Sequence, residues 1–234
     1  MAVSGSINQP YFFPYIGFFQ MLEKSEIFVS LDDVSMIKRG FVNRNYIMCA
    51  DTLHRFALPL KDVSQNRNIR HTYTSDWPAF SKQLWKKLEH SYSREKYFYQ
   101  LEQIWSAIDK SENQSISELA LQSLRATASF LKFKTTFLRQ SENSESGRRG
   151  AERIVQICEE NGITDYWNLP GGRSIYSDTV FEKKNISLSF VEVSDCWKRQ
   201  SKMGDASHVS ILDIVARFPR EEILSYFRDN KDKN

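Results

Sequence analysis

The sequence predicts an α/β fold: a largely parallel, Rossmann-like sheet with helices on both faces and a helical insert or cap. Three observations carry that expectation. Strand-like runs alternate with helical spacing at both ends of the chain. A helix-rich stretch, residues 77–131, lies between them. The glycine turns and charged clusters fall at the ends of the strand-like runs, where open parallel sheets bind ligands.

Taken in order, residues 1–6 are a short leader, and residues 6–9 end a first strand. Gln9-Pro10-Tyr11-Phe12-Phe13-Pro14 is a tight turn, because each proline fixes its own φ and pushes the preceding residue out of helical conformation. Tyr15, Phe18, Phe19 and Leu22 then recur at i, i+3, i+4 and i+7. A helix follows, with Pro14 in its first turn and Gly17, Gln20 and Lys24 on its opposite face. Residues 26–31 read as a strand that ends at Asp32-Asp33, before Lys38-Arg39-Gly40 and Asn43-Arg44-Asn45.

Residues 41–50 and 55–60 have strand character, and the polar run 61–75 reads as a surface loop. Three helices come next, marked by Phe80/Leu84/Trp85/Leu88, by Phe98/Leu101/Ile104/Trp105/Ile108 and by Ile116/Leu119/Ala120/Leu124/Ala128/Leu131. Residues 133–138 look like a strand, and 140–150 (QSENSESGRRG) like a low-complexity loop. A helix over 151–161 stops at Asn161-Gly162. A strand over 164–169 runs into Pro170-Gly171-Gly172-Arg173. A short helix, a strand over 186–193 and two helices starting near His208 and Arg220 finish a single domain, residues 1–228, with a disordered tail at 229–234.

Composition narrows the function classes. Hydrophobic content of 41% and charged content of 26% are those of a soluble globular chain. A net charge of +3 is too small to argue for nucleic-acid binding by itself. The three cysteines, Cys49, Cys158 and Cys196, are scattered and odd in number, unlike a disulfide framework or a metal site. A reducing, cytoplasmic setting fits them, with Cys158 in the core. No apolar run reaches the roughly 20 residues of a membrane span, so no membrane insertion is expected.

The candidate chemistry is concentrated in few places. Asp32-Asp33 suits a general base, a metal ligand or a cap. Adjacent residues on an extended strand point to opposite faces, so only one of them reaches a given site. No histidine or further acid stands at ligand spacing, and no metal is expected. Lys38, Arg39, Asn43, Arg44 and Asn45 are able to hold phosphate, or to form a solvated hairpin face. Gly171, Gly172 and Arg173 form a turn in which backbone N–H groups and one cation can meet an anion. Gln9, Tyr11, Tyr15 and Gln20 flank the prolyl turn as ligand contacts. His90 ends a helix, where a C-terminal dipole role competes with a catalytic one.

The run QPYFFPYIGFFQ, followed by DDV, KRG and NRN, resembles the WbqC-like family of bacterial proteins. A second match is Tyr166-Trp-Asn-Leu-Pro-Gly-Gly-Arg-Ser-Ile-Tyr176, and a third, weaker one is His208-Val-Ser-Ile-Leu-Asp213. The resemblance implies a place in O-antigen or other surface-polysaccharide biosynthesis. It supplies a pathway more than a reaction, and it favours phosphate or sugar contact by the basic clusters.

The expected function is an N-acyl or N-aminoacyl (for example glycyl) transfer to a nucleotide-linked amino sugar. Asp32, Asp33 or His90 would serve the amine. The cations and Gly171-Gly172-Arg173 would hold the diphosphate, and Asn43, Asn45 and Gln9 would face the acyl oxyanion. No permanently bound cofactor is expected. The acyl donor is left open among an aminoacyl-tRNA, an amino acid with ATP, and a thioester. The alternatives are a non-catalytic sugar- or nucleotide-binding partner of the same pathway, or a nucleotide-dependent ligase.

Overall fold

The computed structural model describes residues 2–36, 40–50, 52–62, 67–108, 110, 114–142, 147–193, 199–201, 204–206 and 209–229. Five parallel strands form its main sheet: β1 (Ser4–Asn8), β2 (Ile27–Ser30), then β5 (Thr136–Arg139), β6 (Asp165–Asn168) and β7 (Ser187–Phe190). Their order is β5-β2-β1-β6-β7. The chain thus builds outward from β1 on one side, then returns and builds outward on the other. This is the doubly wound order, with its switch point between β1 and β6.

The two strands read from residues 41–60 stand apart from that sheet. β3 (Arg44–Cys49) and β4 (Thr52–Ala57) pair antiparallel as a separate hairpin, and β8 (Arg199–Ser201) and β9 (Gly204–Ala206) form a second one. Eight α-helices complete the described residues: α1 (Ile16–Glu23), α2 (Trp77–Tyr92), α3 (Phe98–Ser106), α4 (Ile116–Phe130), α5 (Gly150–Glu160), α6 (Asp178–Glu182), α7 (Ile211–Arg217) and α8 (Arg220–Asp229). The expected helices of the insert are α2, α3 and α4, which lie between β2 and β5 in the chain. Side-chain caps start α2 and α4, since Asp76 accepts from the Ala79 N–H and Ser115 from the Glu118 N–H.

Strand alternation sorts the two faces of the sheet. Phe28 packs with α1, α4 and the helical layer, and Phe137 and Trp167 join them. Ile7, Val29 and Tyr166 point the other way, onto Ile154, Val155, Ile157 and Cys158 of α5 and Phe181 of α6. Cys158 is fully enclosed there, and burial pushes its thiol up to about 12, so it is a core residue.

The helix after the prolyl turn differs from the sequence reading. It starts at Ile16 with Tyr15 as N-cap, and every residue from Ile16 to Leu22 is buried, Gly17 and Gln20 included. No solvent face exists because α1 is enclosed from both sides. Phe18 meets Phe28 of β2 with ring centroids 5.7 Å apart. A Cβ at Gly17 would come within 2.5 Å of both Tyr15 and Val193, so only glycine lets the segment after β7 pass so close.

Candidate functional site

Because all five strands run parallel, their carboxyl ends share one edge. Gln9 follows β1, Asp32-Asp33 follow β2, Gln140 and Ser141 follow β5, Pro170-Gly171-Gly172-Arg173 follow β6, and Glu192 follows β7. Three of the stretches singled out in the sequence therefore lie at the ends of the adjacent strands β2, β1 and β6.

The turn after β1 is a rigid aromatic corner. Phe12 and Phe13 are fully buried, and their rings stack edge-on at 4.8 Å. Phe13 sits at φ 46°, the left-handed region, held there by its hydrogen bonds. Its N–H donates to Ser123 Oγ of α4 (3.0 Å), while its carbonyl accepts from Asn45 Nδ2 (2.7 Å) and Ser210 Oγ (2.8 Å). Asn45 is thus a brace for this turn. Asn43 donates to the Leu58 carbonyl at 3.1 Å, and Arg44 lies 5.8 Å over the Phe41 ring, so both serve the hairpin.

At the switch point, Glu192 links three elements. Its carbonyl accepts from Gln20 Nε2 of α1 at 2.9 Å, and its carboxylate accepts from Arg173 Nη2 at 3.2 Å. Arg173 is about half exposed and lies 4.8 Å over the Phe190 ring. Gly171 faces open space, whereas Gly172 is packed against Asn168. Gln20 is buried, and its Oε1 makes no hydrogen bond. Gln9 is half-buried at the same edge. Tyr11 packs on Phe18, and burial raises its phenol; burial, reinforced by Tyr11 and Tyr226, pushes the Tyr15 phenol up to about 12.

The two adjacent acids after β2 part company. Asp32 is fully buried on the α4 side, where Ser117 Oγ (3.2 Å), Ser141 Oγ (2.9 Å) and the Ser141 N–H (3.1 Å) all donate to its carboxylate. The Arg70 N–H also donates to its backbone carbonyl at 2.8 Å. These bonds tie together the ends of β2, β5 and α4. Asp33 turns to the α5 side and forms an ion pair with Arg153 through Oδ2, while its Oδ1 is buried without a partner. Arg153 Nε and Gln140 Oε1 are likewise buried and unpartnered.

His90 is exposed in the last turn of α2, a helix that packs on β3, α3 and α7. The end of α2 that meets the turn after β1 is the other one, where Trp77 packs on Phe12 with ring centroids 5.9 Å apart. Lys38 and Arg39, and His208 of the third sequence match, lie outside the described residues. Among the described residues no group of three or more His, Cys, Asp or Glu side chains is placed to hold a metal ion, and no helix is long and apolar enough to cross a membrane.

Sequence reasoning missed Arg153, Gln140, Glu192 and Ser141. Each sits just past a strand or at the start of a helix, and Gln140 and Ser141 fell in a stretch read as low-complexity loop. The available signal was position: residues just beyond parallel strands carry the same weight as glycine turns. Also missed was a buried cluster in the helical layer. There Asp213 accepts from Tyr92 (2.9 Å) and Arg217 (3.1 Å), and Arg217 also donates to Glu95 (2.6 Å). Burial, with Asp213 alongside, raises the Tyr92 phenol well above its usual value.

A doubly wound sheet with a polar carboxyl edge and a large helical insert defines an α/β protein of the open parallel-sheet class. The model of the WbqC-like protein family matches residues 9–224, and the chain belongs to that family. It is also 28% identical to the uncharacterized protein Rv1507c of Mycobacterium tuberculosis, over 232 residues that cover 95% of this chain and 98% of the relative. No solved structure matches the chain.

Proposed function

We propose that the protein transfers a small acyl or aminoacyl group to the amine of a nucleotide-linked amino sugar lying across the carboxyl edge of the sheet, in surface-polysaccharide (O-antigen) biosynthesis. The observation that carries this reading is Asp33, whose ion pair with Arg153 leaves Oδ1 buried without a donor. An unmatched buried acceptor costs about 1–3 kcal/mol, and an N–H group of the ligand relieves that cost.

The roles follow from place. Arg173, exposed beside Gly171 and Gly172, takes the diphosphate and exchanges its partner Glu192 for phosphate oxygens. Gln9, Tyr11, Tyr15 and Gln20, around the turn after β1, are assigned to the sugar. The charges of Lys38 and Arg39 are assigned to the same diphosphate from the sequence alone. The amine nitrogen attacks the carbonyl carbon of the donor. A C–N bond forms, the bond to the leaving group breaks, and the nitrogen's proton passes to Asp33. Asp32, with its oxygens already taken up by Ser117 and Ser141, fixes the loop that carries Asp33. An aminoacyl-tRNA ester, an amino acid activated with ATP, and a thioester all supply such a carbonyl.

The test is direct. Purified protein is incubated with a nucleotide-linked amino sugar and each donor class in turn, and the sugar nucleotide is weighed. A mass gain matching an amide is expected, and Asp33→Asn should slow it about 100-fold. If no donor modifies any amino sugar, the transferase reading fails.

One observation favours a different reading, a binding partner without catalysis. A cleft of about 350 Å3 opens between α2 and α3, lined by Pro78, Ser81, Lys82, Trp85, Trp105 and Lys110. Trp85 and Trp105 stack at 5.7 Å, a surface suited to a sugar ring. Binding of a sugar nucleotide that Trp85→Ala abolishes and Asp33→Asn leaves intact would favour this reading.

A further inference from the structure

The cleft between α2 and α3 is walled by a row of rings. Phe98, Trp85 and Trp105 follow one another at centroid distances of 5.6 and 5.7 Å, and Trp105 stacks at 6.0 Å on Phe13, in the turn after β1. Pro78, Ser81, Lys82 and Trp85 stand at i, i+3, i+4 and i+7, so they line the cleft from one face of α2. Trp105 and Lys110 line it from the end of α3 and the residues beyond. The cleft thus lies one ring layer behind the turn that follows β1. Its volume of about 350 Å3 falls within the range of small-ligand sites.

Its charge is one-sided. Lys82 is exposed. Lys110 is fixed: its Nζ donates to the Trp105 carbonyl at 2.7 Å and to the Ile108 carbonyl, and lies 4.9 Å over the Trp105 ring. Among the described residues that line the cleft there is no acid, and Asp76, just before them, is taken up as the cap of α2. Ser81, the one lining hydroxyl, donates to the Pro78 carbonyl at 2.9 Å. A sugar ring would stack here, but its hydroxyls would meet no lining carboxylate or amide side chain. Flat rings beside two ammonium groups suit an aromatic group that carries negative charge.

We infer that the cleft holds the adenosine phosphate of the acyl donor, its base packed on Trp85 and its phosphate between Lys82 and Lys110; the inference rests on the transferase reading. An aminoacyl-tRNA ends in an adenosine phosphate. Activation with ATP leaves the acyl group on one, and a coenzyme A thioester carries one at its far end. The cleft recognises what these donors share. It is separate from the carboxyl edge at Arg173, which takes the acceptor, so donor and acceptor bind together.

The test titrates the purified protein by calorimetry with AMP, adenosine and ribose 5-phosphate, with no sugar nucleotide present. AMP is expected to bind at least about tenfold more tightly than either fragment, since one lacks the charge and the other the ring. Trp85→Ala and, at an exposed position, Lys82→Gln should each weaken AMP about tenfold and leave the affinity for a nucleotide-linked amino sugar unchanged. Titration with ATP, coenzyme A and the trinucleotide CCA then identifies the donor as the one bound most tightly. Absence of AMP binding, AMP binding that neither variant weakens, or displacement of AMP by the nucleotide-linked amino sugar overturns the inference even where transfer is observed. AMP bound in the cleft of a protein that modifies no amino sugar overturns the transferase reading and leaves the nucleotide site standing.

Discussion

At the end of β1 the polar groups are spent; at the ends of β2 and β5 they are held in reserve. The Phe13 carbonyl takes hydrogen bonds from Asn45 and Ser210, and its N–H gives one to Ser123. One and two strands away, Asp33 and Gln140 each keep a buried oxygen with no donor. The β1 corner carries the densest sequence motif of the chain, yet its aromatics and amides close a corner of the core. The β2–β5 corner, marked in the sequence by Asp32-Asp33 but not at Gln140, holds the unmatched groups. A conspicuous motif marks where the chain needs particular residues, whether for chemistry or for folding.

If the β1 corner is scaffold, its variants should fail in stability. Phe13→Ala removes a fully buried ring and retains the left-handed backbone, so a loss of about 3–5 kcal/mol in denaturant unfolding is expected. A folded but inactive Phe13→Ala protein would instead place this turn in the site.

Asp32 sharpens the contrast with its neighbour. Asp32→Ala strands the donors of Ser117 and Ser141 inside the protein and should cost about 3 kcal/mol by the same measurement. Asp33→Asn keeps the shape but leaves Arg153 without its counter-charge, so its stability loss should be traced to Arg153 and removed by a second change, Arg153→Met, while turnover stays lost. A loss that Arg153→Met does not remove would erase the distinction between the two acids.

The smallest effect belongs to the braces of the turn. Asn45→Ala and Ser210→Ala should each cost about 1 kcal/mol, and because both donate to one carbonyl their double variant should depart from additivity. Strict additivity would mean that the two bonds do not share the Phe13 carbonyl in solution.

Much of this architecture was legible in the sequence because periodicity reports burial. The spacing of Phe98, Leu101, Ile104 and Trp105 marks α3, and the runs read as ending at Gln9, Leu31 and Leu169 mark strands of the sheet that each stop one residue earlier. Alternation also implied that Asp32 and Asp33 diverge, as they do toward Ser117 and Arg153. What periodicity cannot report is partnership. Nothing local tells that Asn45 braces Phe13 from a distant stretch of chain, or that Arg153 arrives from α5 to meet Asp33. The enclosure of α1 was equally invisible, because Gly17 and Gln20 lie opposite the apolar stripe and nothing local tells that Val193 and Glu192 pack against them.

The most direct test is a crystal structure of the protein with a nucleotide-linked amino sugar. The amine nitrogen is expected within about 3 Å of Asp33 Oδ1, with the diphosphate against Arg173. A sugar bound in the Trp85–Trp105 cleft, or an amine turned to solvent away from Asp33, would contradict the account.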